Sequence, residues 1–255
     1  MERKFMFILA VLAIIVSMCM PSPSADELKT ISLGELKAKI DSGDEIMLIN
    51  PLSDILFNEG YIPGSVNIPL GEIAATDKLP SDKKVLIVSY CSGPGSFVSR
   101  QAAGLALNRG YLNVRWYREG TAGWVLAGYP LEYKYSLPRV PVSGLNAVQL
   151  RERLQEVVVV DVRPPFLYEA GWIKGSHRVP IDDLSRKYIE LPKGRKIVVV
   201  DQTGNQVIAV ARFLEQKGYD VQCLQGGVMS WVNQGYPLEN QAVQQVSSRV
   251  DASVR

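Results

Sequence analysis

The feature of this sequence that most constrains its fold is an internal repeat. Residues 62–69 return in similar form at 173–180, and the motif Gly-Tyr-Pro-Leu-Glu occurs at both 128–132 and 235–239. The distance between matching positions drifts only from 111 to 107 residues along the chain. Solenoid units recur every 20–45 residues or so. A repeat this much longer, with so little drift, therefore predicts a duplicated domain with small local insertions.

The length and charge of the chain agree with two globular domains. At 255 residues, each copy of the repeat can bury a core of its own. The net charge is +2 and no run of five basic residues occurs, so nucleic acid is not an expected partner. We place the first domain at 30–135, a linker at 136–142, the second domain at 143–239 and a flexible polar tail at 240–255.

Both copies alternate strand-like and helix-like segments in the same order. Their third strands, at 85–88 and 197–200, are continuous apolar runs of the kind that helices cover on both faces of a parallel sheet. The pattern predicts an α/β fold of two domains, each a small parallel sheet flanked by helices. The expected helices include 33–42, 98–108, 143–155 and 207–217. The other expected strands include 45–49, 114–117, 157–160 and 221–224.

The N-terminal residues follow the charged, apolar and small-residue order of a secretory signal. Arg3 and Lys4 precede an apolar stretch at 5–20, and small residues and prolines follow at 21–25. The apolar stretch has 16 residues, fewer than the roughly 20 that a membrane-spanning helix needs. We therefore expect residues 1–25 to be a signal peptide that directs export, with the periplasm as the destination. Two alternatives stay open: an uncleaved N-terminal membrane anchor and lipid attachment at Cys19.

Removal of such a signal would leave two cysteines, Cys91 and Cys223. Cys223 falls in a strand-like segment, where a free cysteine usually packs as a small hydrophobic side chain. Cys91 belongs to the other copy of the repeat. Although an oxidising compartment would permit a disulfide, we do not expect one between these two residues.

The loop after the third strand is where we expect chemistry, because open α/β sheets bind ligands beyond the carboxyl ends of their strands. In the first copy this loop begins with Cys91, and in the second Asp201 stands at the matching place. Backbone N–H groups and the following helix terminus can stabilise an anionic sulfur there, so we predict Cys91 as the nucleophile. The predicted sulfur-binding loop comprises Ser92, Gly93, Pro94, Gly95, Ser96 and Phe97. Arg100, one turn into the helix, is expected to attract anionic donors.

Together these motifs resemble the tandem rhodanese-like sulfurtransferases over residues 30–239. The resemblance is carried by Cys91 and by the segments 60–65, 161–163, 171–176 and 226–231, besides the two Gly-Tyr-Pro-Leu-Glu motifs. It implies that the Cys91 thiolate takes a sulfane sulfur from a thiosulfate-like donor and passes it from a persulfide to a thiol or cyanide. It implies neither a metal nor an organic cofactor, because the carrier is the covalent sulfur. The implied partners are a small sulfur-containing anion and a thiol acceptor, with a protein acceptor as a further option.

The first copy departs from the family pattern, in which the loop reads Cys-x-x-Gly-x-Arg-Ser. Its loop is two residues longer than that of the second copy, and Ser96 stands where arginine is usual. The Asp-x-Arg pair that the second copy keeps as Asp161 and Arg163 is Asn50 and Leu52 in the first copy. These departures leave the sulfur donor and the rate of transfer open.

The second copy keeps the frame of the loop but has Asp201 for the cysteine and Gln206 for the arginine. Without a thiol it cannot form a persulfide, so we predict that it is inactive and that Asp201 is a solvated remnant. His177 is the only histidine, which leaves no histidine-based triad or metal site to build. Trp124 and Trp231 occupy matching positions and are expected to be packing anchors.

Three competing functions follow from a cysteine in such a loop. A Cys-x5-Arg phosphatase needs arginine where Phe97 stands, and a Cys-x-x-Cys reductase needs cysteine where Pro94 stands, so neither motif is present. A non-catalytic binding or sulfur-delivery module that uses the fold for protein contact remains the alternative. The inactive second copy and the irregular first loop favour it.

Overall fold

The computed structural model describes residues 28–94, 96–134 and 142–240. The expected signal peptide, Gly95, most of the expected linker and the expected tail beyond residue 240 lie outside the described residues. Within the described ranges, no helix is both long and apolar enough to cross a membrane.

Two sheets flanked by helices make up the described chain. The strands are β1 (Ile46–Asn50), β2 (Val66–Asn67), β3 (Leu86–Ser89), β4 (Val114–Trp116), β5 (Gly144–Leu145), β6 (Val158–Asp161), β7 (His177–Arg178), β8 (Ile197–Val200) and β9 (Val221–Leu224). The α-helices are α1 (Leu33–Ser42), α2 (Asp54–Phe57), α3 (Val98–Asn108), α4 (Gly120–Leu126), α5 (Ala147–Glu152), α6 (Ile181–Lys187), α7 (Val207–Gln216) and α8 (Gly227–Asn233). Short 3₁₀ turns span Leu70–Glu72, Pro165–Ala170 and Tyr188–Glu190.

The order of strands is β2-β1-β3-β4 in the first sheet and β5-β9-β8-β6-β7 in the second. The neighbouring strands in both sheets run parallel. This arrangement confirms the α/β fold class that the repeat predicts. It also places the carboxyl ends of the strands of each sheet at one edge, where the candidate chemistry lies.

The central strands are buried along their whole length because helices cover both faces of each sheet. In β3, Ile87 faces a cluster that contains Ala102 and Ala106 of α3. Its neighbour Val88 faces the opposite cluster, which contains Trp124 of α4. This alternation explains why the third strand of each copy is a continuous apolar run.

The two repeated tryptophans pack into equivalent cores. Trp124 and Trp231 are both buried, and each indole N–H donates to a proline carbonyl, that of Pro130 at 2.9 Å and that of Pro237 at 3.0 Å. Buried indoles need such an acceptor for their single donor. The expectation that these residues are packing anchors is confirmed.

The first helix of the second domain is shorter than predicted. The sequence predicts a helix over 143–155, but Gly144–Leu145 pairs with β9 and α5 spans only Ala147–Glu152. Asn146 determines the start, because its side chain accepts from the Gln149 N–H at 2.9 Å while the Gln149 side chain accepts from the Asn146 N–H at 3.0 Å. The other helix and strand ends predicted above lie within one residue of the observed ends.

The two domains are joined through α2 of the first domain. Ile55 on α2 is 4% exposed and belongs to the hydrophobic core of the second domain, against α6 and α7. The Arg212 guanidinium lies 2.6 Å from the Glu59 carboxylate, and that of Arg186 lies 3.6 Å from Glu72. Partly exposed ion pairs add little stability. The burial of Ile55 is therefore the main attachment between the domains.

Replacing Ile55 with Ala should lower the free energy of unfolding by about 2–4 kcal/mol, because it leaves a cavity in a buried contact. Urea denaturation followed by tryptophan fluorescence measures the change. Ile189→Ala is the matched control, since Ile189 is 68% exposed, and it should change stability by no more than about 0.5 kcal/mol. Equal midpoints for the two variants would show that α2 does not hold the domains together.

Candidate active site

Cys91 lies just beyond β3, at the edge where the parallel strands end. β1 ends beside it at Asn50 and β4 at Trp116, so polar side chains from three strands come together at this edge. Only 1% of Cys91 is exposed. Its sulfur therefore lies beneath the following loop rather than at the surface.

The loop of the first domain is fastened to the start of α4. The Thr121 N–H donates to the Cys91 carbonyl at 2.9 Å, and the Ala122 N–H donates to the Ser92 carbonyl at 3.0 Å. Gly120 permits this close approach, because its φ is +59° and a Cβ there would overlap the Cys91 carbonyl oxygen. The backbone around the sulfur is thus held by the neighbouring helix.

The second domain builds the same turn around a carboxylate. Gly227, with a φ of +58°, brings α8 against the loop as Gly120 brings α4. Asp201 is 4% exposed, and its carboxylate accepts from the backbone N–H groups of Thr203 (3.1 Å), Gly204 and Gln206 (2.7 Å). The expectation that Asp201 is a solvated remnant is therefore wrong. The carboxylate fills the turn and satisfies N–H groups that need an acceptor.

The Cys91 thiol is within hydrogen-bonding distance of the Gly93 carbonyl, at 3.8 Å, and of the Ser99 hydroxyl on α3. The sulfur lies 3.1 Å from the Ser99 hydroxyl oxygen, and the Trp116 indole N–H donates to that same oxygen at 3.0 Å. An indole N–H can only donate, so Ser99 keeps its own proton for another partner. A thiolate has no proton, and Ser99 must then be the donor to it. The Ser99 hydroxyl is thus placed to donate to the Cys91 sulfur when that sulfur acts as an anionic nucleophile.

The positions that match this polar pair carry other side chains in the second domain. Ser99 corresponds to Val207 when α3 and α7 are aligned from their C-terminal ends, which precede Gly110 and Gly218. Trp116 corresponds to Cys223 in the strand register. Ser99 and Trp116 are therefore present in the domain that has the thiol, and other residues occupy the matching positions in the domain that has Asp201.

The buried ion pair between Asp161 and Arg163 in the second domain is also replaced in the first domain. Arg163 lies 2.7 Å from Asp161, both are buried, and the guanidinium donates to the Gly171 carbonyl at 2.8 Å. At the matching positions of the first domain, the Asn50 side-chain oxygen accepts from the Leu52 N–H at 3.1 Å. The turn after the first strand is thus retained by a neutral amide, while the guanidinium becomes an aliphatic side chain.

A cavity of about 700 Å³ lies between the two domains beside the loop of Cys91. Both domains contribute to its walls, so the second domain covers part of the site in the first. The loop side is formed by Ser92, Gly93, Pro94 and Ser96. The facing side is formed by Asn205, Gln206, Ile208 and Ala209.

Of the remaining predicted site residues, Phe97 and Arg100 are described, and neither lines this cavity. Gly95 falls outside the described residues, Phe97 is 74% exposed immediately before α3, and Arg100 is half-buried in the first turn of α3. Sequence reasoning missed Ser99 and Trp116. Counting backwards from the glycine after the helix, instead of forwards from the cysteine across the two extra residues, would have marked Ser99.

A duplicated parallel sheet with a buried cysteine in the turn after the third strand of one copy defines the class of this protein. The family model described as "Rhodanese-like domain" matches residues 32–127 and 146–234. The chain therefore belongs to the rhodanese-like domain family, and the resemblance seen in its motifs is confirmed.

Relatives that match a part of this chain about as long as one domain include named sulfurtransferases. A sulfurtransferase from Allochromatium vinosum is 29% identical over 101 residues, which cover 38% of this chain and 94% of the relative. The thiosulfate sulfurtransferase GlpE from Pseudoalteromonas translucida is 30% identical over 91 residues, which cover 35% of this chain and 86% of the relative. Among solved structures, a thiosulfate sulfurtransferase from Pseudomonas aeruginosa is 25% identical with a TM-score of 0.39, and the match covers 80% of this chain and 44% of that one.

Replacing Ser99 with Ala should slow the alkylation of Cys91 by iodoacetamide at neutral pH. A hydrogen bond to a charged group contributes about 1.5–3 kcal/mol, and a loss of about 1.4 kcal/mol corresponds to a tenfold slower reaction. Trp116→Phe should slow it less, because the Ser99 hydroxyl stays but loses its orientation. Ser81→Ala, at an exposed position outside the loop and the cavity lining, is the control and should react like the wild type. Unchanged rates in the Ser99 variant would remove this hydroxyl from the site.

Cys223 should resist alkylation in the folded protein at pH 8. Its burial, with the Asp201 carboxylate close by, raises the pKa of the Cys223 thiol to about 12, so almost none of it is thiolate. A chain that begins at residue 26 and carries Cys91→Ser has Cys223 as its single thiol. Mass spectrometry should find label on it only after unfolding in guanidinium. Rapid labelling of the folded chain would contradict this prediction.

Proposed function

We propose that this protein is an exported sulfurtransferase that carries sulfane sulfur on Cys91. The observation that carries the proposal is the contact between the Cys91 sulfur and the Ser99 hydroxyl, itself held by Trp116, beside a cavity between the domains. The sulfurtransferases among the relatives support the reaction class. Export rests on the signal-like residues 1–25, and cell fractionation tests it.

The reaction has two balanced steps. In the first, the Cys91 thiolate attacks the outer sulfur of a donor, so that a bond from the cysteine sulfur forms while the S–S bond of the donor breaks. The electron pair leaves with the rest of the donor, as sulfite when the donor is thiosulfate. In the second, a thiol or cyanide attacks the outer sulfur of the persulfide and Cys91 leaves as the thiolate. The sulfur itself is the covalent carrier.

The chain contributes charge stabilisation and shielding to these steps. Ser99 donates to the sulfur whenever Cys91 is a thiolate, both before loading and after transfer. Thr121 and Ala122 hold the loop backbone in place through their N–H groups. Because Cys91 is buried, its sulfur has to become accessible before a donor in the cavity reaches it.

A non-catalytic module is the second candidate function. The burial of Cys91 favours it, because a donor cannot reach the sulfur in this conformation. The second domain favours it too, because a carboxylate and not a thiol fills the equivalent turn. In that function the cavity would bind a protein or a sulfur carrier, and the protein would catalyse no reaction.

Incubation with a sulfur donor should add one sulfur atom to the protein, as measured by intact mass spectrometry. Thiosulfate and an organic persulfide are offered separately, and cyanide should afterwards remove the added sulfur as thiocyanate. Cys91→Ser should gain none, while Cys223→Ser should gain as much as the wild type, because only Cys91 lies beside the cavity. If the wild type gains none from either donor, or Cys91→Ser gains equally, the enzyme proposal is wrong and the non-catalytic module remains.

A further inference from the structure

The cavity beside Cys91 has little net charge. Among the described residues that line it, Glu59 is the one with a charged side chain. That carboxylate lies 2.6 Å from the Arg212 guanidinium, so the two charges largely cancel. A small dianion that enters the cavity meets a carboxylate and no lysine or arginine in the described lining.

At two positions in the lining of this cavity, the first copy has aliphatic side chains where the second copy has an arginine and a glutamine. Leu52 matches Arg163, and Val98 matches Gln206 when the two helices are aligned from their C-terminal ends. Both leucine and valine line the cavity. The position of Arg163 is one from which a guanidinium could reach an anion at the loop, so its replacement lowers the affinity expected for anions.

The rest of the lining suits an uncharged molecule with an apolar part. Its aliphatic wall consists of Leu52, Leu56, Val98, Leu131 and Ile208. The uncharged polar residues of the lining are Asn50, Ser92, Ser96, Thr121, Asn205 and Gln206. Such a mixture, an apolar wall with a few hydrogen-bonding groups, is the usual lining of a site for an organic ligand.

The size of the cavity points the same way. Sites for organic ligands are about 300–1,000 Å³, and this cavity is about 700 Å³. Thiosulfate has only five non-hydrogen atoms and would contact one wall at a time. An organic donor that is several bonds longer would contact the aliphatic and the polar residues of the lining at the same time.

We propose that the sulfur donor is the persulfide of an uncharged, partly apolar organic thiol, and not the thiosulfate dianion. This inference rests on the proposed function and names its substrate class. The organic body occupies the cavity between the domains, and the outer sulfur points at the loop of Cys91. The donor reacts with its outer sulfur protonated. The Cys91 thiolate attacks that sulfur, and the S–S bond of the donor breaks with its electron pair on the organic sulfur. The proton of the outer sulfur passes to the organic sulfur, so that the organic thiol leaves and the Cys91 persulfide remains as the anion.

The test compares second-order rate constants for sulfur loading by N-acetylcysteamine persulfide and by thiosulfate. An organic persulfide is also the more reactive donor in solution, so the decisive quantity is the change in the ratio of the two constants between variants. Leu52→Arg restores a guanidinium to the cavity and should shift this ratio toward thiosulfate by about tenfold. Leu112→Arg is the control, since it adds the same charge at a position that is 73% exposed and outside the lining. The control should leave the ratio unchanged.

Each outcome decides the inference. A wild-type ratio of at least ten in favour of the persulfide, with the Leu52→Arg shift, supports it. Val98→Arg replaces Leu52→Arg if the latter does not fold. Equal loading by the two donors, or a ratio that neither cavity variant moves, overturns the inference while the proposed function stands. Failure of both donors to load Cys91 overturns the proposed function and the inference together.

Discussion

The packing of α2 against the second domain is the contact on which the candidate site depends. Ile55 lies in the hydrophobic core of the other domain, so the two sheets are held as one unit and not as two independent copies. That union brings Asn205 and Gln206 opposite the loop of Cys91 and encloses the cavity between them. The second domain therefore supplies one wall of the cavity beside Cys91, which gives a physical reason to keep a domain that has no thiol.

The same turn is stabilised in two ways within one chain. In the second domain the Asp201 carboxylate fills the turn and accepts hydrogen bonds from the backbone N–H groups. In the first domain a sulfur occupies the place and is contacted from behind by Ser99, which Trp116 orients. A buried turn with inward N–H groups needs an acceptor at its centre. In the second domain a carboxylate is that acceptor, whereas in the first domain the Cys91 thiol occupies the matching place.

Local patterns predicted the architecture well, and they failed where a side chain chose between two local structures. The apolar third strands and the glycines after α3 and α7 marked the fold, because burial on two faces and helix termination are local requirements. The start of α5 was missed because Asn146 can either continue a loop or cap a helix. The pairing of Gly144–Leu145 with β9, a strand far away in sequence, made that choice.

The sequence by itself determined that the protein is a duplicated α/β fold with its candidate nucleophile, Cys91, in one copy. These features are repeats and residue types, which can be read without distances. Only the tertiary structure decided that the sulfur is buried, that Ser99 and Trp116 support it, that Asp201 fills its turn and that the cavity carries little net charge. Those facts depend on contacts between side chains on different strands, helices and domains, and such contacts exist only once the chain has packed.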